Sequence, residues 1–259
     1  MKTGNLKNTF KTLLAVGVAG VLHTQPALAD HHMPSGFGGT ELYGCEMNEG
    51  KAPADLMSVV GEWNSWSDEK EMNDYYAWVL TPVFGSDINF ERTAFWFGFT
   101  PDFKAMGKTL DAWFTEGAEL NAKFNEVWTC SAHMEFASLI VRGGGGESSS
   151  GYASFSDCTF REGMEMEDLM AAQAKYNAYL DEQEVPSVTV YHLPGHGNPQ
   201  DAGYQMKISN WVSDLSTYGE NSEKYVNQGG WNVQQDTIGS VVSCVSPRMY
   251  TATLVRSGD

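Results

Sequence analysis

Only six of the 259 residues are histidine, so each one near a carboxylate or a turn is a candidate for chemistry. His133 stands two residues before Glu135 in a segment, Thr129 to Arg142, that reads as a strand. A period of two puts both side chains on one face, where a His–carboxylate pair can act as a general base or bind metal. A surface histidine, or one satisfied by hydrogen bonds, would look the same in sequence. His192 and His196 belong to HLPGHGNP, whose Gly and Pro residues mark a loop. Loops can carry metal ligands, but no third donor follows at a recognisable spacing.

These residues sit in a chain that carries an address. Lys2, Lys7 and Lys11 precede a short apolar run, Thr12 to Leu22, and Ala27-Leu28-Ala29 forms a small-x-small cleavage site. Residues 1–29 therefore read as a secretory signal peptide, too short in its apolar run to span a bilayer as a helix. The expected location is the periplasm or the exterior, with no membrane insertion once the segment is removed. Cleavage after Ala29 would expose Asp30-His31-His32. A free amine at Asp30, the deprotonated amides of His31 and His32 and the His32 imidazole at the third position can enclose Cu(II) or Ni(II) in a square plane. The formal net charge of −17 argues against nucleic acid and against anionic lipid, both of which need clustered Lys and Arg.

The chain resembles itself. Cys45 to Glu69 overlays Cys158 to Glu182 at a constant offset of 113 residues, matching Asp55-Leu56-Met57 with Asp168-Leu169-Met170 and Asp68-Glu69 with Asp181-Glu182. Near the ends, Cys130 matches Cys244 and Val141-Arg142 matches Val255-Arg256. This length suits a duplicated domain rather than a solenoid unit. The expected organisation is a first domain at 30–142, a flexible Gly/Ser linker at 143–151 and a second domain at 152–259. In the first copy, Glu41–Met47, Tyr75–Phe84, Arg92–Thr100 and Thr129–Arg142 read as strands. Leu56, Val59, Val60, Trp63 and Trp66 recur at helical spacing behind Asp55, and Leu110 to Phe124 makes a second helix. The second copy repeats the order, with Ser154–Phe160, Met166–Leu180, Ser187–Leu193, Tyr204–Trp211, Glu220–Gln228 and Val241–Arg256.

The order β-α-β-β-α-β is ferredoxin-like, with helices on one face of an antiparallel sheet. First and last strands then lie side by side and run in opposite directions. That predicts the disulfides Cys45–Cys130 and Cys158–Cys244, structural staples suited to an oxidising compartment. A segment such as FWFGF is too aromatic to leave its second face in water, so the two sheets should pair.

A tandem pair of such units resembles the dimeric α+β barrel superfamily, which includes antibiotic-biosynthesis monooxygenases, NIPSNAP-like and EthD-like proteins. The resemblance covers nearly all of the chain after the signal segment. It implies an α+β fold in which two tandem ferredoxin-like domains pair sheet to sheet as an intramolecular barrel. Superfamily oxygenases use Asn, Trp and His in a cavity to orient and polarise a flat substrate. On that pattern Asn64, Asn177 and His133 become catalytic candidates. Trp63, Trp66, Trp78, Trp96, Tyr176 and Tyr191 become ligand-binding candidates. The plainer alternative is that these aromatics pack helices onto sheets and that the asparagines cap or end their helices. Were haem accepted, as in some members, His133, His192 or His196 would be the axial candidates; the sequence itself requires no cofactor.

Other chemistries lack their motifs. There is no G-x-S-x-G elbow, no Walker loop and no ordered Ser/His/Asp set. The first copy holds six Trp and ten Phe against two and two in the second, as one specialised lining would require. The expected function is an exported binder of a small apolar or aromatic molecule, acting as an oxygenase or isomerase. The alternative is a non-catalytic exported protein with a structural or interaction role, for instance an assembly module using free sheet edges.

Overall fold

The computed structural model describes residues 36–86, 88–143 and 149–258. The signal segment, His31, His32 and residues 144–148 of the linker lie outside the described residues.

The first half runs β1 (Gly38–Met47), α1 (Pro53–Glu69), β2 (Tyr76–Phe84), β3 (Thr93–Thr100), α2 (Phe103–Glu116), α3 (Ala118–Val127) and β4 (Trp128–Arg142). The second runs β5 (Gly151–Phe160), α4 (Met166–Glu182), β6 (Val188–Pro194), β7 (Met206–Val212), α5 (Leu215–Asn227), α6 (Gly230–Asp236), α7 (Ile238–Val241), β8 (Val242–Cys244) and β9 (Arg248–Arg256). Local chemistry starts the helices, α2 and α5 at Phe103 and Leu215 rather than at the expected Leu110 and Glu220. Pro53 opens α1, and the Asp55 carboxylate accepts from the Ala52 N–H at 2.8 Å. Asp102 and Asp214 cap α2 and α5 by accepting from Ala105 N and Thr217 N, each at 2.7 Å.

Two expected elements are broken. The helix expected over Leu110 to Phe124 starts at Phe103 and divides at Gly117 into α2 and α3. The Gly117 N–H bonds Trp113 O at 2.9 Å, and a Cβ at 117 would run into the Trp113 ring. The strand expected over Val241 to Arg256 is interrupted at residues 245–247 by Pro247, which has no N–H for the ladder. Helices α6 and α7 were not anticipated from the sequence pattern.

All strand pairs are antiparallel. The order is β7-β6-β4-β1-β3-β2-β9-β5-β8, and β7 also pairs with β5, which closes eight strands into a barrel. The halves join at two seams, β2 with β9 and β4 with β6. The outer strands of each half are therefore spent on the other half, while the three-residue β8 pairs with β5 alone and ends the strand order. Alternation divides the aromatics between two faces. Trp63, Ala77, Val79, Ala94 and Trp96 pack between the helices and the outer face of the first half. Trp78, Leu80, Phe97, Phe155 and Tyr250 fill the barrel interior. FWFGF is thus covered on both sides. Val141, Leu169, Tyr191 and Met206 build the corresponding outer core of the second half. Disulfides Cys45–Cys130 and Cys158–Cys244 join β1 to β4 and β5 to β8, each within one half, as expected.

Candidate functional site

A cavity of about 310 Å³ lies between α1–α3 and the outer face of the first half. Its size is at the lower end of small-molecule pockets. Trp63, Trp66, Trp96, Trp113 and Trp128 wall it with Phe114 and Phe124; Trp128 stacks on Phe124 at 24°, and other pairs meet edge to face. Trp63 and Trp96 are 4.7 Å apart at 84°, and Trp66 and Trp113 are 5.7 Å apart at 76°. One carboxylate, Glu41, lines it.

Glu41 is buried and organises the polar row of the cavity. Tyr75 donates its hydroxyl to Glu41 Oε1, and Trp96 Nε1–H donates to Tyr75 Oη at 2.8 Å. Glu41 Oε2 lies 2.8 Å from His133 Nε2. Burial, then the Glu41 charge, holds the Tyr75 phenol well above its usual range, so it stays a donor. A carboxylate that accepts from Tyr75 also accepts from the ring, which places the His133 proton on Nε2 and the lone pair on Nδ1. Among the described residues Nδ1 has no hydrogen-bond partner. The ring stacks on Tyr43 at 3.7 Å and 9°, with Phe114 6.3 Å away. Burial also raises the Tyr43 phenol, ahead of the effect of Glu41. The result is an oriented imidazole at the rim of an aromatic slot.

Local structure explains why His133 faces the helices. Cys45 pairs with Cys130, but Gly44 pairs with Ala132, so Ser131 is an extra residue in β4. This β-bulge reverses the alternation beyond it and turns His133 toward the side that Glu41 occupies. Gly98, opposite Glu41 on β3, makes room for the row, because a Cβ there would collide with Tyr75 Oη. The expected partner of His133, Glu135, is taken instead by His196 Nδ1 at 2.6 Å. Cross-strand neighbours on β1 were the signal for Glu41, but the bulge hides their register.

The expected site residues do not form one cluster. Trp63, Trp66, Trp96 and His133 line this cavity. Trp78 lies in the barrel and lines a 540 Å³ cavity at its mouth, donating to Ser149 O at 3.1 Å. Tyr176 lines a cavity in the second half. Tyr191 is buried and donates to Gln173 Oε1 at 2.5 Å. Asn64 and Asn177 line none of these cavities, and neither caps its helix. Asn64 Nδ2 donates to Val255 O at 2.6 Å and Asn177 Nδ2 to Val141 O at 2.8 Å, each reaching the last strand of the other half. Beside them Arg256 bonds Asp68 at 2.8 Å and Arg142 bonds Asp181 at 2.7 Å. The polar residues shared by the two repeats thus form a reciprocal clamp.

Of the haem candidates, His192 is buried in the barrel with Nδ1 2.7 Å from Ser138 Oγ and Nε2 2.8 Å from Ser209 Oγ. Burial lowers its pKa to about 3. His196 projects into solvent from its loop. His133 faces a slot smaller than a macrocycle with its propionates requires. These histidines do not fit haem ligation. His31 and His32 lie outside the described residues, and among those residues no cluster of three or more His, Cys, Asp or Glu could hold a metal ion.

No protein-family model and no curated protein sequence matches the chain. Solved structures do. A candidate monooxygenase from Lactobacillus acidophilus aligns with TM-score 0.56 and 8% identity, over 85% of this chain and 95% of that one. An anthrone oxidase-like protein aligns at 0.50 and 15%, over 87% and 95%. A mutant chlorite dismutase from Candidatus Nitrospira defluvii aligns at 0.51 and 7%, over 84% and 92%. At these identities the likeness is one of fold, the ferredoxin-like α+β barrel. No described helix is long and apolar enough to cross a membrane.

Proposed function

We propose that the protein is an exported enzyme of the dimeric α+β barrel superfamily, built by tandem duplication, that acts on a flat aromatic acid in the first-half cavity. The reading rests above all on the His133–Glu41–Tyr75–Trp96 row at the rim of a tryptophan-walled slot. His133 Nδ1 takes a proton from an acidic C–H or O–H of the substrate, Glu41 stabilises the imidazolium, and the rings hold the substrate plane. Returning the proton to another carbon is an isomerisation. Giving the electron pair to dioxygen is a cofactor-independent oxygenation: anthrone plus O₂ yields anthraquinone plus water. The reciprocal clamp supports duplication, and two disulfides support an oxidising compartment.

Anthrone is a suitable probe, with an acidic CH₂ between two rings. Anaerobic deuterium exchange into anthrone, and aerobic formation of anthraquinone with dioxygen uptake, separate the proton step from the oxidation. The wild type should accelerate exchange, and His133→Ala should lose a factor of about 10²–10⁴. Equal exchange by both proteins would overturn the assignment of the base. Saturable binding without exchange in the wild type would favour a non-catalytic binder.

A further inference from the structure

The second half holds a larger cavity in the corresponding place, and its chemistry has been exchanged. About 740 Å³ lies between α4–α7 and the outer face of that half. Tyrosines, serines and amides replace the tryptophans and phenylalanines of the first cavity. The strand break at Pro247 contributes to the lining, where β4 in the first half is continuous.

Three observations define what such a cavity would hold. First, no Asp or Glu lines it, although the chain has 33 acidic residues. Its two cations each donate to neutral backbone carbonyls. Lys224 donates to Gln183 O at 2.6 Å and Glu184 O at 3.2 Å, and Arg161 Nε donates to Gly239 O at 2.6 Å. Second, Tyr179 Oη and Asn221 Oδ1 are buried in the lining with no hydrogen-bond partner among the described residues. Such groups destabilise the fold unless something pairs with them. Third, Trp231 and Tyr218 are 52% and 40% exposed and stand at the mouth, with Tyr225 edge-on to Trp231 at 5.8 Å. Ring faces that stay wet, beside neutral donors and acceptors, match a molecule with C–H faces and hydroxyl edges.

We propose that this cavity is a second binding site, for a neutral hydroxyl-rich molecule of the saccharide class. A ligand hydroxyl donates to Asn221 Oδ1, another pairs with Tyr179 Oη, and the sugar ring stacks on Trp231. A metal finds no carboxylate or imidazole in the lining. A flat apolar molecule would leave the amides and hydroxyls unpaired. An anion approaches a chain of net charge −17, and glucuronate tests this alternative directly.

The test is titration calorimetry and Trp231 indole NMR on the whole chain. Neutral probes are glucose, N-acetylglucosamine and maltotriose, and glucuronate is the charged counterpart. At least one neutral probe should saturate and shift the Trp231 signal. Tyr179→Phe should lower its affinity about tenfold or more while leaving the melting temperature equal or higher, because it removes an unsatisfied buried hydroxyl. Trp231→Ala should weaken binding without destabilising the fold, and His133→Ala should leave sugar binding unchanged. The proposal is overturned if no neutral probe saturates, if glucuronate binds better than glucose, or if Tyr179→Phe and Trp231→Ala bind as the wild type does.

Discussion

His133 becomes a candidate base through residues with no chemistry of their own. Ser131 supplies the bulge that turns it outward, and Gly98 leaves the space in which Tyr75 reaches Glu41. Gly98→Ala should therefore fold yet displace Tyr75 from Glu41, lowering anthrone exchange while His133 is intact; exchange kinetics check this, and an unchanged rate would show the row to be passive. A second prediction concerns His192, whose pKa burial holds at about 3 against the usual 6.5. The unfolded chain takes up a proton below 6.5 and the folded chain does not, so stability falls as pH drops from 6.5 toward 3, by about 1.4 kcal/mol per pH unit. His192→Gln should be less stable at neutral pH, but its deficit should shrink as pH falls to about 4, because it lacks this proton uptake. Urea unfolding of both proteins at several pH values reads the difference. The sequence revealed His133 as a candidate and not Glu41, since one extra residue in a strand reverses its faces without leaving a mark in composition.

Between elements, the strongest shared signal of the two repeats proves to be a clamp. Asn64, Asp68, Val255 and Arg256 at one junction repeat as Asn177, Asp181, Val141 and Arg142 at the other. Arg256 also bonds Met72 O, and Arg142 bonds Val185 O, so each buried guanidinium ties a last strand to the far end of the other half's helix. Arg256→Ala and Arg142→Ala should each cost about 2–4 kcal/mol, and Asn64→Ala less, with ligand affinity in the first cavity unchanged. Denaturant melts with parallel binding assays check this. Strand alternation and the start of α1 behind Asp55 were legible because they act locally, whereas the caps Asp102 and Asp214 start α2 and α5 seven and five residues before the apolar periodicity does. The breaks at Gly117 and Pro247 were not, since a ring contact and a tertiary strand register decide them.

At the scale of the molecule, one closed barrel divides two helix layers, each over its own cavity. The internal sequence match and the cysteine spacing made the architecture readable, because the first and last strands of a ferredoxin-like unit must be neighbours. The edge-to-edge seams were less readable, since they depend on pairing between halves. Each disulfide spans 85 or 86 residues within one half, which the chain-entropy account values at about 4–5 kcal/mol as an upper figure. Cys45→Ser/Cys130→Ser and Cys158→Ser/Cys244→Ser should therefore destabilise by similar amounts, measurable by denaturant unfolding. The proposed location of the substrate site is tested most directly by a crystal structure with 2-naphthol. The naphthalene plane should lie among Trp63, Trp96 and Trp113 with its hydroxyl toward His133 Nδ1. Electron density for the ligand at the barrel mouth beside Trp78, with the first-half slot empty, would contradict the account.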